Sequence, residues 1–490
     1  MNPFLKNQMH TVLVLAPLFL IGVFAMFYPP YLAAGDEHSY LTNAQLVMNE
    51  GLVQSTNEYY CALTQKSPGV FFSTYPIGKS IELAPFLGFG LSGIFWLGLI
   101  THLVNYILFI LIFRRLKLSP AWALLYLFLP VFQWESRTLF PELSVLTFFL
   151  AAYWVWLFLG KRSAFFAGIL SGLALFVRTD AFLGILAFSG ESLLKERSRL
   201  IPFLAGAAIP VGLLALFNLH TLGSILPQVG GGFSVFGRNV GLNLLLEFVT
   251  FLGLLFIALP FSLLALGRKT HNSAYFILLT LFSCIFFVRF SSFWAFPFSI
   301  PLTFTARLRY FVPLLGMLII PTAMAYSHWG PVLWAKVNAF VPSPSLRKMI
   351  SIGLILLVSL GSMGATLYMH SYHSSFLDSR KEVLDLIHAN IPVGSHVIGS
   401  ADDCVYFFPP FFGEKKYSKV VFWEKELDSH TYILDISYAT QRETDSNRQT
   451  VIDAERKKIK DFIALHQSQL EKVFEFKQGT WVTIWRVRAP

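Results

Sequence analysis

Apolar runs of about 20 residues, separated by short polar segments, dominate the chain up to residue 370. A run of this length spans the hydrocarbon core of a bilayer as a helix. Two short runs flank Arg178. We predict two spans there rather than one kinked span, because with two spans the later basic loops agree with the positive-inside rule. The apolar pattern therefore predicts about eleven spans, at 11–29, 93–113, 119–134, 140–160, 163–178, 180–194, 200–219, 242–266, 272–290, 304–326 and 349–369.

Charge orients these spans in the membrane. The chain is 55% hydrophobic and only 13% charged, whereas a soluble domain carries about 25% charge. Residues 1–370 hold 22 Lys or Arg against 11 Asp or Glu, and most of the basic residues fall in alternate loops. By the positive-inside rule those loops and the N-terminus are cytoplasmic. The excess of positive charge thus reflects topology and does not indicate a nucleic-acid partner. With the N-terminus inside, an odd number of spans places the C-terminus outside.

The last 120 residues have a different pattern, with 16 Lys or Arg against 17 Asp or Glu. We predict a transmembrane domain over 1–370, with a long external loop at 30–92, and a soluble external α/β domain over 371–490. The external loop has two stretches that we expect to lie along the membrane interface, at 36–50 and 68–85. In the tail, alternating apolar positions predict strands at 396–400, 420–423, 432–436 and 481–487, and helical spacing predicts helices at 376–390 and 451–472.

Adjacent carboxylates, Asp36 and Glu37, follow the first span directly. A carboxylate at the mouth of a helical bundle is costly to desolvate, so its presence there favours a functional role over that of a solvated loop acid. Glu142 follows Pro141 at the predicted start of the fourth span. A helix N-terminus favours an acid by its dipole, and this explains Glu142 without any function.

Several basic residues lie on the external side, where the positive-inside rule disfavours them: Lys79, Arg178, Arg307 and Arg309. Their partners are either the external acids, in a structural ion-pair network, or an anionic ligand such as a phosphate, which Arg binds through two parallel hydrogen bonds. For Lys79 alone, contact with a lipid headgroup is a further alternative.

Five strings in this order resemble the polytopic GT-C glycosyltransferases, near bacterial protein O-mannosyltransferases and lipid A aminoarabinose transferases: G-D-E-H-S-Y at 35–40, Y-P-I-G-K-S-I-E-L-A-P-F-L-G at 75–88, R-T-L-F-P-E at 137–142, F-N-L-H-T-L-G-S-I-L-P at 217–227 and A-R-L-R-Y-F-V-P at 306–313. The resemblance covers residues 1–370. It implies an enzyme of the bacterial inner membrane that takes a sugar from a polyprenyl-phosphate donor on the external face and passes it to a lipid, glycan or protein acceptor.

The same resemblance implies the roles of individual residues. Asp36 corresponds to the loop acid of the family, with Glu37 beside it, and the second carboxylate is Glu142 or Glu135. The residues that bind the donor phosphate correspond to Lys79, Arg178, and Arg307 or Arg309.

The chemistry of the residues agrees with a transferase. Sugar transfer from a phosphate-linked donor needs a base for the acceptor hydroxyl and cations for the departing phosphate. No cofactor motif is evident, with neither a Walker loop nor a zinc-binding helix, and the use of a divalent metal is left open. The alternative is a transporter or flippase of a lipid-linked sugar or other anionic lipid, a class that usually shows internal repeats, which this chain lacks.

Overall fold

The computed structural model describes residues 3–33, 35–49, 63–67, 70–73, 75–158, 160–225, 273–287, 308–340, 343–399, 417–421, 427–438, 457–478 and 480–488. In this part, the chain up to residue 390 is mostly helical. Its helices are α1 (Pro3–Met26), α2 (Gly35–Asn49), α3 (Gly78–Leu83), α4 (Leu91–Ile94), α5 (Trp96–Arg115), α6 (Ala123–Phe128), α7 (Pro130–Glu135), α8 (Glu142–Trp156), α9 (Lys161–Val177), α10 (Phe182–Lys195), α11 (Leu200–Leu222), α12 (Ser273–Phe287), α13 (Val312–Phe340) and α14 (Pro344–Asn390).

The protein is an integral membrane protein. Within the described ranges, three helical segments are long and apolar enough to cross a membrane: Ser92–Arg115, Arg197–Thr221 and Arg309–Val332. Shorter apolar helices cover Thr11–Met26, Glu142–Trp156 and Ala274–Phe287. The predicted span at 242–266 lies outside the described residues.

The predicted pair of spans around Arg178 forms two separate helices, α9 and α10, joined by a short turn over Thr179–Ala181. The run at 119–134 is not one helix, because it breaks into α6 and α7 at Leu129. The backbone of Leu129 is extended (φ −68°, ψ 124°), the conformation that a residue preceding a proline favours, and Pro130 follows it.

In the external loop, the first predicted stretch, 36–50, forms the helix α2. The second predicted stretch, 68–85, is more varied. It contains strand β2 (Val70–Ser73), which pairs antiparallel with β1 (Leu63–Ser67), and then α3, which continues into a 3₁₀ helix over Ala84–Phe89. The Pro and Gly residues of this stretch separate short elements, so it does not form one interfacial helix.

Aromatic side chains fill the core between the helices. Trp156 of α8 packs against Phe188 of α10 and Phe203 of α11, with ring centroids 5.1 and 5.7 Å away. The outer face of α11 exposes Ile201 and Leu216, at 77% and 65%, as expected for side chains that face lipid. The helices therefore bury aromatic surface towards each other and leave aliphatic surface towards the membrane.

The tail carries a five-stranded sheet in the order β4-β3-β5-β7-β6, formed by β3 (Ser395–Ile398), β4 (Tyr417–Val421), β5 (Thr431–Tyr438), β6 (Leu470–Gln478) and β7 (Thr480–Val487). Strands β4, β3 and β5 are parallel to one another, whereas β7 runs antiparallel to its neighbours β5 and β6. One face packs on α14, through residues such as Leu384 and Ile387, and the other packs on a helix described over 457–465. The four predicted strands are all present.

One helix prediction for the tail needs correction, and another is confirmed as part of a longer helix. The helix predicted over 451–472 ends at residue 465 in the described part, and β6 begins at Leu470. The segment from Leu470 alternates apolar and charged residues with period two, which fits a strand. The helix predicted at 376–390 is the end of α14, a single helix of 47 residues that passes through residue 370, where we predicted the domain boundary.

Arg137 joins α14 to the turn between α7 and α8. Its guanidinium is buried and donates hydrogen bonds to Nδ1 of His370 and of His373, both at 2.9 Å, and to Oγ of Ser374 at 2.7 Å. Ser374 in turn donates to the carbonyl of Phe27, at the end of α1 (2.8 Å). These contacts hold the turn at 136–141 in place beside the site.

Candidate active site

Asp36 lies in the first turn of α2, where the helix dipole favours a carboxylate. Its two oxygens have different partners. The hydroxyl of Tyr75 donates to Oδ1 (2.7 Å), and Nη2 of Arg309 donates to Oδ2 (2.7 Å). The Asp36 side chain is 29% exposed, so the carboxylate is held and yet accessible from outside.

Arg178 connects two further carboxylates to this pair. It follows the last residue of α9 and forms two parallel hydrogen bonds with Asp180, at 2.8 and 2.7 Å. A third nitrogen of its guanidinium donates to Oε1 of Glu142, in the first turn of α8. Nε of Arg309 lies 3.9 Å from the same Glu142 oxygen, so Glu142 stands between the two arginines. We call this set the ion-pair network: Asp36, Arg309, Glu142, Arg178 and Asp180.

Aromatic rings line the network. The Arg309 guanidinium lies 4.3 Å from the ring centroid of Phe140, and that of Arg178 lies 5.0 Å from the ring of Tyr310. Nη2 of Arg309 also donates to the Tyr310 hydroxyl (2.7 Å). Stacking on rings fixes the plane of a guanidinium while leaving its edge available for an oxyanion.

Helix ends explain why the network forms. Asp36 and Glu142 begin α2 and α8, Arg178 follows α9, and Arg309 precedes α13. Charged side chains are least costly at helix ends, where chain and solvent meet. With all groups ionised, three carboxylates face two guanidinium groups, so the network carries a charge of about −1 and its arginines are occupied by acids.

Glu37 faces away from Asp36 and anchors the backbone. Its Oε1 accepts a hydrogen bond from the amide of Leu139 (2.7 Å), and its Oε2 accepts one from the amide of Ala33. Glu37 is completely buried. The predicted catalytic role of Glu37 stays a prediction, and its geometry favours the holding of α2 against the 136–141 turn.

Lys79 lies in α3 and makes a separate cluster. Its Nζ is 3.3 Å from Oε2 of Glu82 and 3.2 Å from Oγ of Ser144, and Ser144 donates to the same Glu82 oxygen (2.6 Å). The side chain of Lys79 is 2% exposed and that of Glu82 is 27% exposed. Lys79 therefore contacts α8 at Ser144, two residues after Glu142, and its charge is compensated by Glu82.

Glu135 and Glu142, which the sequence left as alternatives for the second carboxylate, differ in their surroundings. Glu142 contacts Arg178, whereas neither oxygen of Glu135 has a hydrogen-bond partner among the described residues. Burial, and after it repulsion from Glu142, raises the pKa of Glu135 well above its usual value. Glu135 thus favours the protonated form, and Glu142 is the carboxylate that joins the network.

The remaining predicted site residue, Arg307, lies outside the described residues. In the described part of the chain, no three His, Cys, Asp or Glu side chains form a group that would hold a metal ion.

Two solved structures of ArnT from Cupriavidus metallidurans are similar to this chain over nearly its whole length. The apo structure aligns with a TM-score of 0.58 and 11% identity, covering 98% of both chains. The structure bound to undecaprenyl phosphate aligns with a TM-score of 0.56 and 11% identity, covering 99% of this chain and 98% of that one.

The apo oligosaccharyltransferase of Archaeoglobus fulgidus is also similar, with a TM-score of 0.51 and 14% identity over 86% of this chain and 66% of its own length. No protein-family model and no curated protein sequence matches the chain. ArnT and the oligosaccharyltransferase are both GT-C membrane glycosyltransferases.

The chain has the GT-C fold. At 11% identity the likeness establishes the fold and leaves the chemistry to be argued from this chain's own residues. Within the GT-C fold, the strings at 35–40, 75–88, 137–142 and 306–313 meet at one place, because each contributes a residue to the ion-pair network or a direct partner of it.

Sequence reasoning missed the hydroxyls of Tyr75 and Tyr310 and the pairing of Glu82 with Lys79. The two tyrosines stand inside strings that we singled out for their charges, and a signal was present, because Tyr310 directly follows Arg309. Nothing in the sequence places Tyr75 beside Asp36, 39 residues away.

Proposed function

We propose that this protein is an integral membrane glycosyltransferase that moves a sugar from a polyprenyl-phosphate donor to an acceptor hydroxyl on the external face of the bacterial inner membrane. The observation that carries this proposal is the ion-pair network, which joins an accessible carboxylate, Asp36, to two arginines. Such a site would supply a base, and its arginines would bind a phosphate in exchange for contacts with their carboxylate partners.

The reaction assigns a task to each group. Asp36 takes the proton of the acceptor hydroxyl while the acceptor oxygen forms a bond to the anomeric carbon of the sugar. The bond from that carbon to the phosphate oxygen breaks, and polyprenyl phosphate leaves with the electron pair. Arg178 and Arg309 stabilise the negative charge on the departing phosphate. Glu142 holds both arginines in position between turnovers.

Asp36 is the base in this scheme because it is the most accessible acid of the network. Its side chain is 29% exposed, against 14% for Asp180 and 1% for Glu142. An acceptor that approaches from outside would therefore meet Asp36 first.

Two observations support a lipid-phosphate donor. ArnT, whose fold this chain shares, has been crystallised with undecaprenyl phosphate. In the chain itself, a narrow cleft between α8, α10, α12 and α13 ends at Asp180 of the network and at Tyr310, which accepts a hydrogen bond from Arg309. Its lining is apolar, as the surroundings of an isoprenoid chain would be, and includes Val145, Phe149, Leu183, Phe287 and Leu314.

The external placement of the site rests on the charge pattern. About eleven spans with a cytoplasmic N-terminus place the first loop, the network and the tail on one side, away from cytoplasmic nucleotide sugars. A lipid-linked donor fits that location. The acceptor is a lipid, a glycan or a protein.

A transfer assay tests the function. Purified protein is supplied with radiolabelled polyprenyl-phosphate sugars and a membrane lipid or glycan extract, and labelled product is measured. Asp36→Asn keeps the shape of the side chain and removes the base, so transfer should fall by roughly 10²- to 10⁴-fold. Asp385→Asn is the matched control, because Asp385 is exposed on α14, where it pairs with Lys381; that variant should keep full activity.

One result would contradict an enzyme, and another would change the assignment of the base. Wild-type protein that binds the labelled donor and moves it across vesicle membranes without product would support a transporter or flippase. Transfer that persists in Asp36→Asn and is lost in Glu37→Gln would exchange the roles of the two acids.

A further inference from the structure

Tyr75 holds one of the two oxygens of Asp36. Its hydroxyl donates to Oδ1 (2.7 Å) while Arg309 donates to Oδ2 (2.7 Å), so the carboxylate is held from two sides. The Tyr75 ring packs on that of Tyr40 in α2, with centroids 5.0 Å apart. Tyr75 also precedes Pro76, so its backbone is restricted to extended conformations. The hydroxyl is therefore directed at Asp36 by a fixed ring on a restricted backbone.

The phenol of Tyr75 donates a hydrogen bond to Asp36. Burial, and after it the negative charge of Asp36, raises the pKa of Tyr75 well above its usual value. The hydroxyl is therefore in the protonated form that donates to Asp36. A hydrogen bond donated to a carboxylate stabilises the charged form and keeps the acid ionised to lower pH.

Arg309, the other partner of Asp36, has a second task in the proposed reaction. It also lies beside Glu142, and it would bind the donor phosphate. A guanidinium shared between a phosphate and Asp36 holds the carboxylate less firmly than one bound to Asp36 alone. The hydrogen bond from Tyr75 to Asp36 is not shared with the phosphate of the sugar donor.

We propose that Tyr75 is a positioning residue, which directs the Asp36 carboxylate towards the acceptor and keeps it ionised while Arg309 is engaged with the donor phosphate. This role rests on the proposed function, in which Asp36 is the base. Other charged or titratable groups act on Asp36 from the elements around it: Tyr40 of α2, Arg309 and Tyr310 before α13, and Glu142 of α8 through Arg309.

Tyr75→Phe tests the role through the pH dependence of transfer. The substitution keeps the ring and its packing on Tyr40 and removes the hydroxyl that donates to Asp36. Because Asp36 must be ionised to act, the acid limb of kcat/KM should move to higher pH by about one to two pH units, the value of one charge-assisted hydrogen bond. The acid limb of kcat, which reports the donor complex, should move by at least as much, since Arg309 is then shared.

Two controls separate positioning from packing. Tyr126 is also buried and hydrogen-bonded, to His102 at 2.9 Å, away from the network; Tyr126→Phe should leave both acid limbs unchanged. Incorporation of 3-fluorotyrosine at position 75 keeps the hydroxyl and makes it a stronger donor, so the limb should move to lower pH. A loss of packing cannot move the acid limb to higher pH in Tyr75→Phe and to lower pH in the 3-fluorotyrosine protein.

The outcomes are distinct. A loss of activity by the same factor at every pH, or an unchanged profile, in Tyr75→Phe would overturn the positioning role. If Tyr75→Phe does not fold, the protein with 3-fluorotyrosine at position 75 is the test. An acid limb at the same pH as in the wild type would then overturn the positioning role.

If wild-type protein shows no transfer at all, the proposed function fails first. The infrared titration of Asp36, taken as the difference between wild type and Asp36→Asn, then tests the hydrogen bond directly. An equal carboxylate titration in wild type and in Tyr75→Phe would overturn it.

Discussion

Glu142 lies between two guanidinium groups and is almost fully buried, at 1% exposure. A buried carboxylate that loses its partner is left with the desolvation cost and no compensation. Arg178 is therefore tied to stability as well as to the proposed binding of phosphate. A substitution of Arg178 alone should change both the stability of the protein and its affinity for the donor phosphate. A second substitution is needed to separate these two effects.

The first prediction at this scale concerns Arg178 and Glu142. Arg178→Ala should lower the free energy of unfolding by about 3–5 kcal/mol, because it leaves a buried charge uncompensated. It should also weaken donor binding by roughly 10-fold or more, the value of one charge-assisted hydrogen bond. Adding Glu142→Gln should restore most of the stability and none of the donor affinity. Thermal unfolding and binding of labelled donor measure the two effects.

Arg178→Lys is the matched comparison, because it keeps the charge and loses the two-pronged geometry. It should keep most of the stability and regain only part of the affinity. Unchanged donor affinity in Arg178→Ala molecules that remain folded would assign Arg178 to a purely structural network.

The composition of the site was predictable from the sequence only in part. Asp36, Glu142, Arg178 and Arg309 were each placed at the external end of a helix, and the structure brings them together. Lys79 was placed with them, yet it pairs with Glu82 and Ser144. An apolar pattern shows at which end of a helix a side chain lies, but the neighbour it faces depends on how the helices pack.

At the scale of elements, α3 approaches α9 closely at Gly78. A methyl group at Gly78 would lie 2.5 Å from the carbonyl oxygen of Phe176 and 2.9 Å from the amide of Val177. Arg178 follows directly. The absence of a side chain at Gly78 therefore allows α3 to pack against the end of the helix that carries Arg178.

A prediction about packing follows from this contact. Gly78→Ala should push α3 away from α9, with a cost of about 1–3 kcal/mol in stability and a loss of transfer activity, because Arg178 would move. Gly88→Ala is the matched control, since a methyl group there would meet nothing within 4 Å. Thermal unfolding and the transfer assay measure both variants. If Gly78→Ala and Gly88→Ala had the same stability and the same transfer activity, the α3–α9 contact would not position the site.

The elements themselves were predicted best where one periodicity holds over a long segment. The runs on either side of Arg178 are indeed two helices, α9 and α10. Prediction was wrong at 466–472, where a helical pattern gives way to the strand β6. Leu470 fits both patterns, because the position that continues the helical face is also the first inward position of the strand. Only pairing with β7 decides between them.

For the whole molecule, α14 is the element that joins the membrane part to the tail. It begins at Pro344, near the predicted span at 349–369, and ends at Asn390, against the sheet. Arg137 binds the same helix near its middle, beside the site. One continuous helix therefore connects the tail to the turn that carries Phe140 and precedes Glu142.

The last prediction concerns the side of the membrane on which these parts lie. A reporter enzyme that is active only outside the cytoplasm should work when it is fused after residue 60 or at residue 490, and it should fail after residue 116 or residue 269. The alternate Lys and Arg loops motivate this result, because positive charge near span ends is retained in the cytoplasm. Since α14 continues from the last predicted span into the tail, the fusion at 490 also reports the side reached by that span. An inactive reporter at 490 beside an active one at 60 would mean an even number of spans. It would then place the tail on the opposite face from Asp36, and that arrangement would leave the tail no access to an external donor or acceptor.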